Sequence, residues 1–182
     1  MTKSVTGSFY LTETVILPLA SVNGTRVSAT LDLSAYVNVP TGQAIAVESV
    51  DFITQRGSSF AMGASAYLTG PGTISKQLVD LNPGTTFVRA DNHSLIASGA
   101  LNVDTINNVT SMSNDLYPDN FGPTNLSEAF LVVNDTLYLT AGVDNAAVGT
   151  AALYVTCRVR CRVVKLSTKD WMAIAIQSTA EA

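Results

Sequence analysis

Three arginines in one β-branched segment have the spacing that most clearly points to a chemical role. Arg158, Arg160 and Arg162 are two residues apart, and residues two apart in a β-strand lie on the same face. This arrangement, which we call the arginine row, brings three like charges together. Either acidic side chains on a neighbouring strand offset it, or an external partner does: an adjacent subunit, anionic lipid headgroups or packaged nucleic acid. The row is therefore a candidate interface, and both explanations stay open.

Two cysteines alternate with the arginine row. Cys157 and Cys161 share the opposite face of the segment with valines and a leucine, so we expect both to be buried structural thiols. Four extended residues separate them by about 13 Å, which is too far for a disulfide. No Cys/His spacing in the chain is typical of a metal site.

The remaining chemistry-bearing residues form no catalytic motif. His93 is the only histidine and lies among turn residues, and no nucleophile elbow, phosphate-binding loop, HExxH motif or EF-hand loop occurs. Asp115, Asp119 and Asn120 have the oxygen ligands of a hard-cation site, although an ordinary solvated turn explains them better. We therefore predict no catalytic residue, no metal, no cofactor and no small-molecule substrate.

The composition excludes some classes of protein. The chain has 182 residues, of which 47% are hydrophobic and 13% charged, with a formal net charge of −4. These values exclude a disordered chain and argue against non-specific nucleic-acid binding by the domain as a whole. Ser and Thr together number 38, which suits a surface that faces other protein. We expect one domain over residues 1–182.

Export and membrane signals are weak in this sequence. No apolar run reaches the length of a membrane helix. The run 15–20 is too short for a signal peptide and contains a proline. We therefore expect that the chain is used inside the cell, or leaves it without a cleaved export signal.

The hydrophobic pattern predicts an all-β protein. Apolar, β-branched runs alternate with clusters of Gly, Pro, Asn and Asp, as in antiparallel sandwiches. Asn23-Gly24 favours a tight hairpin between strands at 9–22 and 25–33. Residues 104–126 have little periodicity, which predicts a long surface loop. Ser167 can cap a single short helix over about residues 168–178.

The order of these elements resembles viral jelly-roll capsid proteins. A long first strand precedes the run Leu31–Val37, which leads through a Pro/Gly turn into Ala44–Phe52, and a long final strand is followed by a short amphipathic helix. Size and Ser/Thr-rich composition narrow the resemblance to the small single-jelly-roll major capsid proteins of tailless, membrane-containing viruses of archaea and bacteria. The resemblance implies an antiparallel jelly-roll β-sandwich and no active site.

The resulting hypothesis is a structural virion protein that self-assembles into capsomers and the viral shell. Its expected partners are copies of itself and other capsid proteins, with the internal viral membrane or the packaged genome as further partners of the arginine row. We expect it in the virion, assembled in the host cytoplasm. The alternative is a cell-surface or secreted β-sandwich binding module, such as an adhesin, a pilin-like domain or a carbohydrate-binding domain. An enzyme is the least favoured class.

Overall fold

The computed structural model describes residues 3–113 and 130–179 as ten β-strands and one α-helix. A short 3₁₀ helix, Ala64–Ala66, lies between the fourth and fifth strands. In chain order the elements are β1 (Lys3–Ser4), β2 (Phe9–Leu17), β3 (Arg26–Asp32), β4 (Gln43–Arg56), β5 (Gly72–Val79), β6 (Leu95–Asp104), β7 (Val109–Ser113), β8 (Phe130–Val132), β9 (Thr136–Asp144), β10 (Leu153–Lys165) and α1 (Thr168–Thr179).

The strands form two antiparallel sheets whose order defines the fold. One sheet has the order β2–β10–β4–β8, with β1 pairing β10 beyond the end of β2, and the other has the order β3–β9–β5–β6–β7. From β2 to β5, and again from β8 to β10, each strand crosses to the other sheet. This interleaving of two four-stranded sheets is a jelly roll, to which β1 and β7 are added. The predicted fold class, an all-β antiparallel jelly-roll sandwich with one short C-terminal helix, is confirmed.

The core between the sheets explains the alternation along the strands. On β10 the odd-numbered residues from Leu153 to Val163 are buried, whereas the even-numbered ones from Tyr154 to Arg162 face outwards. The buried side chains of both sheets meet in one continuous apolar cluster. Removing this area from water is the main driving force for closing the two sheets on each other.

A second, smaller cluster lies outside the sandwich, under the C-terminal helix. Trp171, Ile174 and Ala175 of α1 pack over Ala44 and Ala46 of the first sheet. The helix begins where expected, because the Ser167 hydroxyl accepts a hydrogen bond from the Asp170 amide at 3.2 Å and donates one to the Asp170 carboxylate at 2.8 Å. Within the described part of the chain, no helix is long and apolar enough to cross a membrane.

The turn at Asn23-Gly24 exists, but it does not make a hairpin. The Thr25 amide donates to the Val22 carbonyl at 3.1 Å, and only Gly24 of the two central residues has a positive φ, +88°. This is the pattern of a type II turn rather than type I′. Strand β2 ends at Leu17, just before Pro18, and β3 pairs β9 in the other sheet. The turn therefore lies on a crossover between the sheets.

The segment predicted as a long loop, 104–126, contains a strand. Its residues 109–113 form β7, which extends the second sheet by pairing β6. The segment is mainly polar and its two apolar residues, Val109 and Met112, are three positions apart, so it lacks the alternation that predicts a strand, which an exposed edge tolerates. The rest of the predicted loop, with Asp115, Asp119 and Asn120, lies outside the described residues.

Candidate functional site

The arginine row lies on the outer face of the first sheet, as the alternation of β10 requires. Strand β10 is central in this sheet, with β2 on one side and β4 on the other. The side chains of Arg160 and Arg162 are 37% and 16% exposed, and Arg158 is exposed. The three residues are therefore in different environments, although their spacing is regular.

A β-bulge in β4 places an acid beside the row. Arg160 pairs with Ser49, and the next residue, Cys161, pairs with Val47. Glu48 is thus the extra residue, and two residues of β4 oppose one of β10. The bulge also shifts the phase of β4, so that Val47 before it and Val50 after it both face the core.

Glu48 is buried among polar partners. Its carboxylate, 2% exposed, lies 3.1 Å from Arg160 Nε and accepts a hydrogen bond from Arg162 Nε. The Ser8 hydroxyl lies 2.9 Å and 3.1 Å from the two carboxylate oxygens. A carboxylate buried at this depth is tolerated because charged donors surround it. The acidic neighbour that the sequence left open is therefore present within the chain for two of the three arginines.

Arg158 has an aromatic neighbour rather than the Glu48 carboxylate. Its guanidinium lies 4.8 Å from the centroid of the Tyr10 ring, on β2, a distance typical of a cation–π contact. Tyr10 is itself 52% exposed. Asp51 is the residue of β4 that pairs with Arg158. The exposed part of the arginine row is thus an Arg158–Tyr10 pair at the edge of the sheet.

Both cysteines point into the core and are unpaired. Cys157 and Cys161 are at most 1% exposed. Burial, and then the charge of Asp51, raises the pKa of the Cys157 thiol well above its ordinary value. Burial, and then the charge of Glu48, raises the pKa of the Cys161 thiol to about 12. Thiols held neutral in this way pack as small apolar side chains and are poor nucleophiles.

The acidic side chains and the one histidine are scattered over the described part of the chain. Within residues 3–113 and 130–179, no three His, Cys, Asp or Glu side chains lie close enough together to hold a metal ion. His93 is near the C-terminal helix, where its Nδ1 lies 3.3 Å from Gln177 Nε2.

Four loops meet at one end of the sandwich, which we call the loop end: 18–25, 57–71, 105–108 and 145–152. Backbone hydrogen bonds join three of them, including Ala20 N to Gly149 O at 3.1 Å and Gly57 N to Ala152 O at 2.7 Å. The loop 105–108 belongs to the same end because Thr73, at the start of β5, pairs with both β6 and β9 near their last residues.

The loop end has an unusual surface and backbone. Its large apolar side chains that are more than half exposed are Leu19, Val22, Phe60, Met62 and Ile106. The non-glycine residues of the described chain with a left-handed φ all lie in these loops, at Ala20, Ser58, Phe60, Asn108 and Asn145. Strained backbone and exposed apolar surface concentrate at interaction sites.

Lys76 is a buried, chemically reactive residue that belongs to no sequence motif. Lys76 lies between Ile74 and Leu78 on the core-facing side of β5 and is 2% exposed. Burial lowers its pKa from 10.5 to about 8. The signal was present in the sequence, because a lysine in phase with two apolar neighbours of a strand must point inwards.

Comparison with known proteins finds viral capsid structures among the similar solved structures. Neither the protein-family models nor the curated proteins include a match to this chain. Among solved structures it is similar to VP1 of trichodysplasia spinulosa-associated polyomavirus, with 11% identity and a TM-score of 0.43 over 88% of this chain and 98% of that chain. VP1 of human polyomavirus 12 has 10% identity and a TM-score of 0.41, over 88% and 100% of the two chains.

A plant virus structure is similar over a comparable length. Turnip yellow mosaic virus matches with 10% identity and a TM-score of 0.30, over 88% of this chain and 95% of that chain. These structures are viral capsid proteins with jelly-roll folds. The assignment of the jelly roll to this chain rests on its own strand order, described above.

Proposed function

We propose that this protein is a structural virion protein, a single-jelly-roll capsid subunit that self-assembles into capsomers and the viral shell. The observation that carries the proposal is the loop end, where five large apolar side chains are more than half exposed beside the residues with left-handed backbone. Apolar patches rimmed by polar residues are typical of protein–protein contacts. Its partners are then copies of itself and other capsid proteins, in a virion assembled in the host cytoplasm.

The low charge of the surface favours this role. With a net charge of −4 and 13% charged residues, close packing of identical copies meets little repulsion. Hydroxyl and amide groups also cost less to dehydrate than ions do. The structural role is non-enzymatic, so no catalytic residue is assigned.

The arginine row contributes to this proposal mainly through Arg158. Glu48 pairs with Arg160 and Arg162, and Asp51 is the cross-strand neighbour of Arg158, so two carboxylates lie beside the three arginines. Nucleic acids and anionic membranes bind several uncompensated cations at once. Of the three partners that the sequence left open, an adjacent subunit therefore fits the row better than lipid headgroups or genome.

The alternative of a carbohydrate-binding module fits the exposed aromatics less well. Sugar-binding surfaces combine several rings, whereas the large aromatic side chains that are more than half exposed in the described chain are Tyr10 and Phe60. In the strand register Tyr10 lies opposite Arg160 of β10. Phe60 instead contacts Tyr154 near the start of β10, with 5.6 Å between the ring centroids. The two rings therefore belong to separate surfaces.

The proposal is tested by assembly of the purified full chain. We expect sedimentation and negative-stain images to show discrete oligomers or particles at high protein concentration. Leu19→Ser combined with Phe60→Ser should weaken assembly at least tenfold while the fold is kept. Val39→Ser is the matched control, because Val39 is equally exposed, 60%, at the opposite end of the sandwich. A chain that stays monomeric at millimolar concentration, with or without its virion partners, would contradict the proposal.

Arg158 is tested separately from its neighbours. Arg158→Ser removes the exposed cation and leaves Glu48 paired, whereas Arg89→Ser removes another exposed arginine, from the loop between β5 and β6. We expect the first change, and not the second, to weaken assembly with little effect on the melting temperature. If assembly is unchanged, the arginine row serves the subunit alone and is not an interface.

A further inference from the structure

A cavity of about 390 Å³ lies between the two sheets beside the edge strand β7. This volume is within the range of small-molecule binding sites. Met62 and Met112, both more than half exposed, are at its margin, so it is open to solvent. Its wall is mainly apolar, with Phe52, Thr54, Met62, Lys76, Leu101 and Met112 among the lining residues.

Two polar groups in this wall lack partners. Lys76 is 2% exposed, and no hydrogen bond or ion pair to its amine occurs within residues 3–113 and 130–179. The hydroxyl of Thr54, a residue 7% exposed, is also buried without a hydrogen-bond partner. Buried polar groups are normally paired, and an isolated charge is the most costly exception.

The buried charge of Glu48 has a different environment. Glu48, buried to the same extent as Lys76, has two guanidinium groups and a hydroxyl around its carboxylate. Lys76 instead lines the cavity, which is where an external ligand could reach its amine. Such an amine attracts an anion, and the surrounding apolar wall attracts a hydrocarbon chain.

We propose that this cavity binds the carboxylate of a free, medium-chain fatty acid. One carboxylate oxygen accepts from the Lys76 ammonium and the other from the Thr54 hydroxyl. The alkyl chain lies along Phe52 and Leu101 towards the two methionines, whose flexible side chains adapt to a chain of variable length. Two donors match the two oxygens of a carboxylate, whereas a phosphate dianion needs more. Met62 belongs both to this cavity and to the loop end, but binding of the fatty acid by a single chain does not require the proposed assembly.

The probe is laurate, titrated below its micelle concentration into the full chain and followed by calorimetry. We expect dodecanol, which has the same chain without the charge, to bind at least tenfold more weakly, and dodecylammonium not to bind. Lys76→Met keeps the length of the side chain and removes the charge, and should reduce the affinity for laurate roughly tenfold or more, as expected for a hydrogen bond to a charged group. Lys169→Met, on the exposed helix, should leave it unchanged.

Two further variants keep the test decisive if Lys76→Met perturbs the fold. Gly63 lines the cavity, and a Cβ added there meets no atom within 4 Å, so Gly63→Phe can fill the space without a backbone clash. It should abolish laurate binding at an unchanged melting temperature. Thr54→Val, which removes only the hydroxyl, should weaken binding several-fold. Equal binding of laurate and dodecylammonium, or full laurate binding by both Gly63→Phe and Lys76→Met, would overturn the proposal.

Discussion

The guanidinium group of Arg162 donates a hydrogen bond to the carboxylate of Glu48, and the bulge in β4 is what brings the two side chains to one face. Glu48 is the extra residue of this bulge, between Val47 and Ser49, and its carboxylate lies beside both Arg160 and Arg162. Local backbone irregularity therefore decides the electrostatics of this surface.

Glu48→Gln should destabilise the protein strongly. The change keeps the shape of the side chain but leaves two closely spaced guanidinium groups, one of them largely buried, without a counter-charge. Loss of one partner from a buried ion pair costs about 3 kcal/mol or more. The free energy of unfolding in urea at pH 7 measures this loss.

The matched control for this change is Asp91→Asn. Asp91 also pairs with an arginine, Arg89, at 3.0 Å, but the two side chains are 67% and 88% exposed. Exposed pairs contribute roughly 0–1 kcal/mol, so this variant should unfold almost as the wild type does. Similar losses in both variants would show that the buried position of Glu48 has no special importance.

The thiols should react only after unfolding. Cys157 and Cys161 are buried, and burial raises the pKa of both, that of Cys161 to about 12. Because the thiolate is the reactive form, an aromatic disulfide reagent at pH 8 should modify neither residue in the native state and both in denaturant. Rapid modification of either thiol under native conditions would contradict the buried positions.

The fold could be predicted from the sequence because apolar and polar residues alternate along its strands. The alternation of β10 is regular from Leu153 to Val163, so both the buried cysteines and the outward arginines could be assigned without knowledge of the partners. Strand pairing was harder to predict, because Asn23-Gly24 has the same local preference in a hairpin as in a crossover. A hairpin and a crossover differ in whether the two strands belong to the same sheet, and here β2 and β3 belong to different sheets.

The environment of each arginine could not be predicted from spacing. The acid that pairs with Arg160 and Arg162 is 112 or more residues away in sequence and reaches them through a bulge, for which Glu48-Ser49 carries no recognisable signal. Lys76 was overlooked for a different reason. Functional motifs are clusters of residues at fixed spacing, whereas Lys76 is a single charge in an apolar strand.

Gly42→Ala should be costly for two separable reasons. Gly42 has φ +71°, and a Cβ there would clash with the carbonyl oxygen of Leu166, whose amide donates to the Gly42 carbonyl at 2.8 Å. Gly84 has the same φ, +71°, with no atom within 4 Å of an added Cβ. Gly84→Ala therefore measures the conformational cost alone, roughly 1 kcal/mol, and Gly42→Ala should exceed it by about 2 kcal/mol in thermal or urea unfolding. Equal losses would mean that the contact with Leu166 adjusts freely.

Lys76→Met should stabilise the ligand-free protein, by an amount that depends on pH. Burial lowers the pKa of Lys76 from 10.5 to about 8, so the folded state binds its proton less tightly than the unfolded state does. Below pH 8 both states are protonated and the wild type bears the full penalty, about 3 kcal/mol. As the pH rises from 8 towards 10.5 the folded state releases the proton first, the wild type gains stability relative to the variant, and the penalty disappears. Urea unfolding of both proteins at pH 7 and pH 10 measures the difference, with Lys169→Met as a control that should show no such trend. A variant that is less stable than the wild type at pH 7, or a difference that does not change with pH, would show that the Lys76 amine is not buried as a charge.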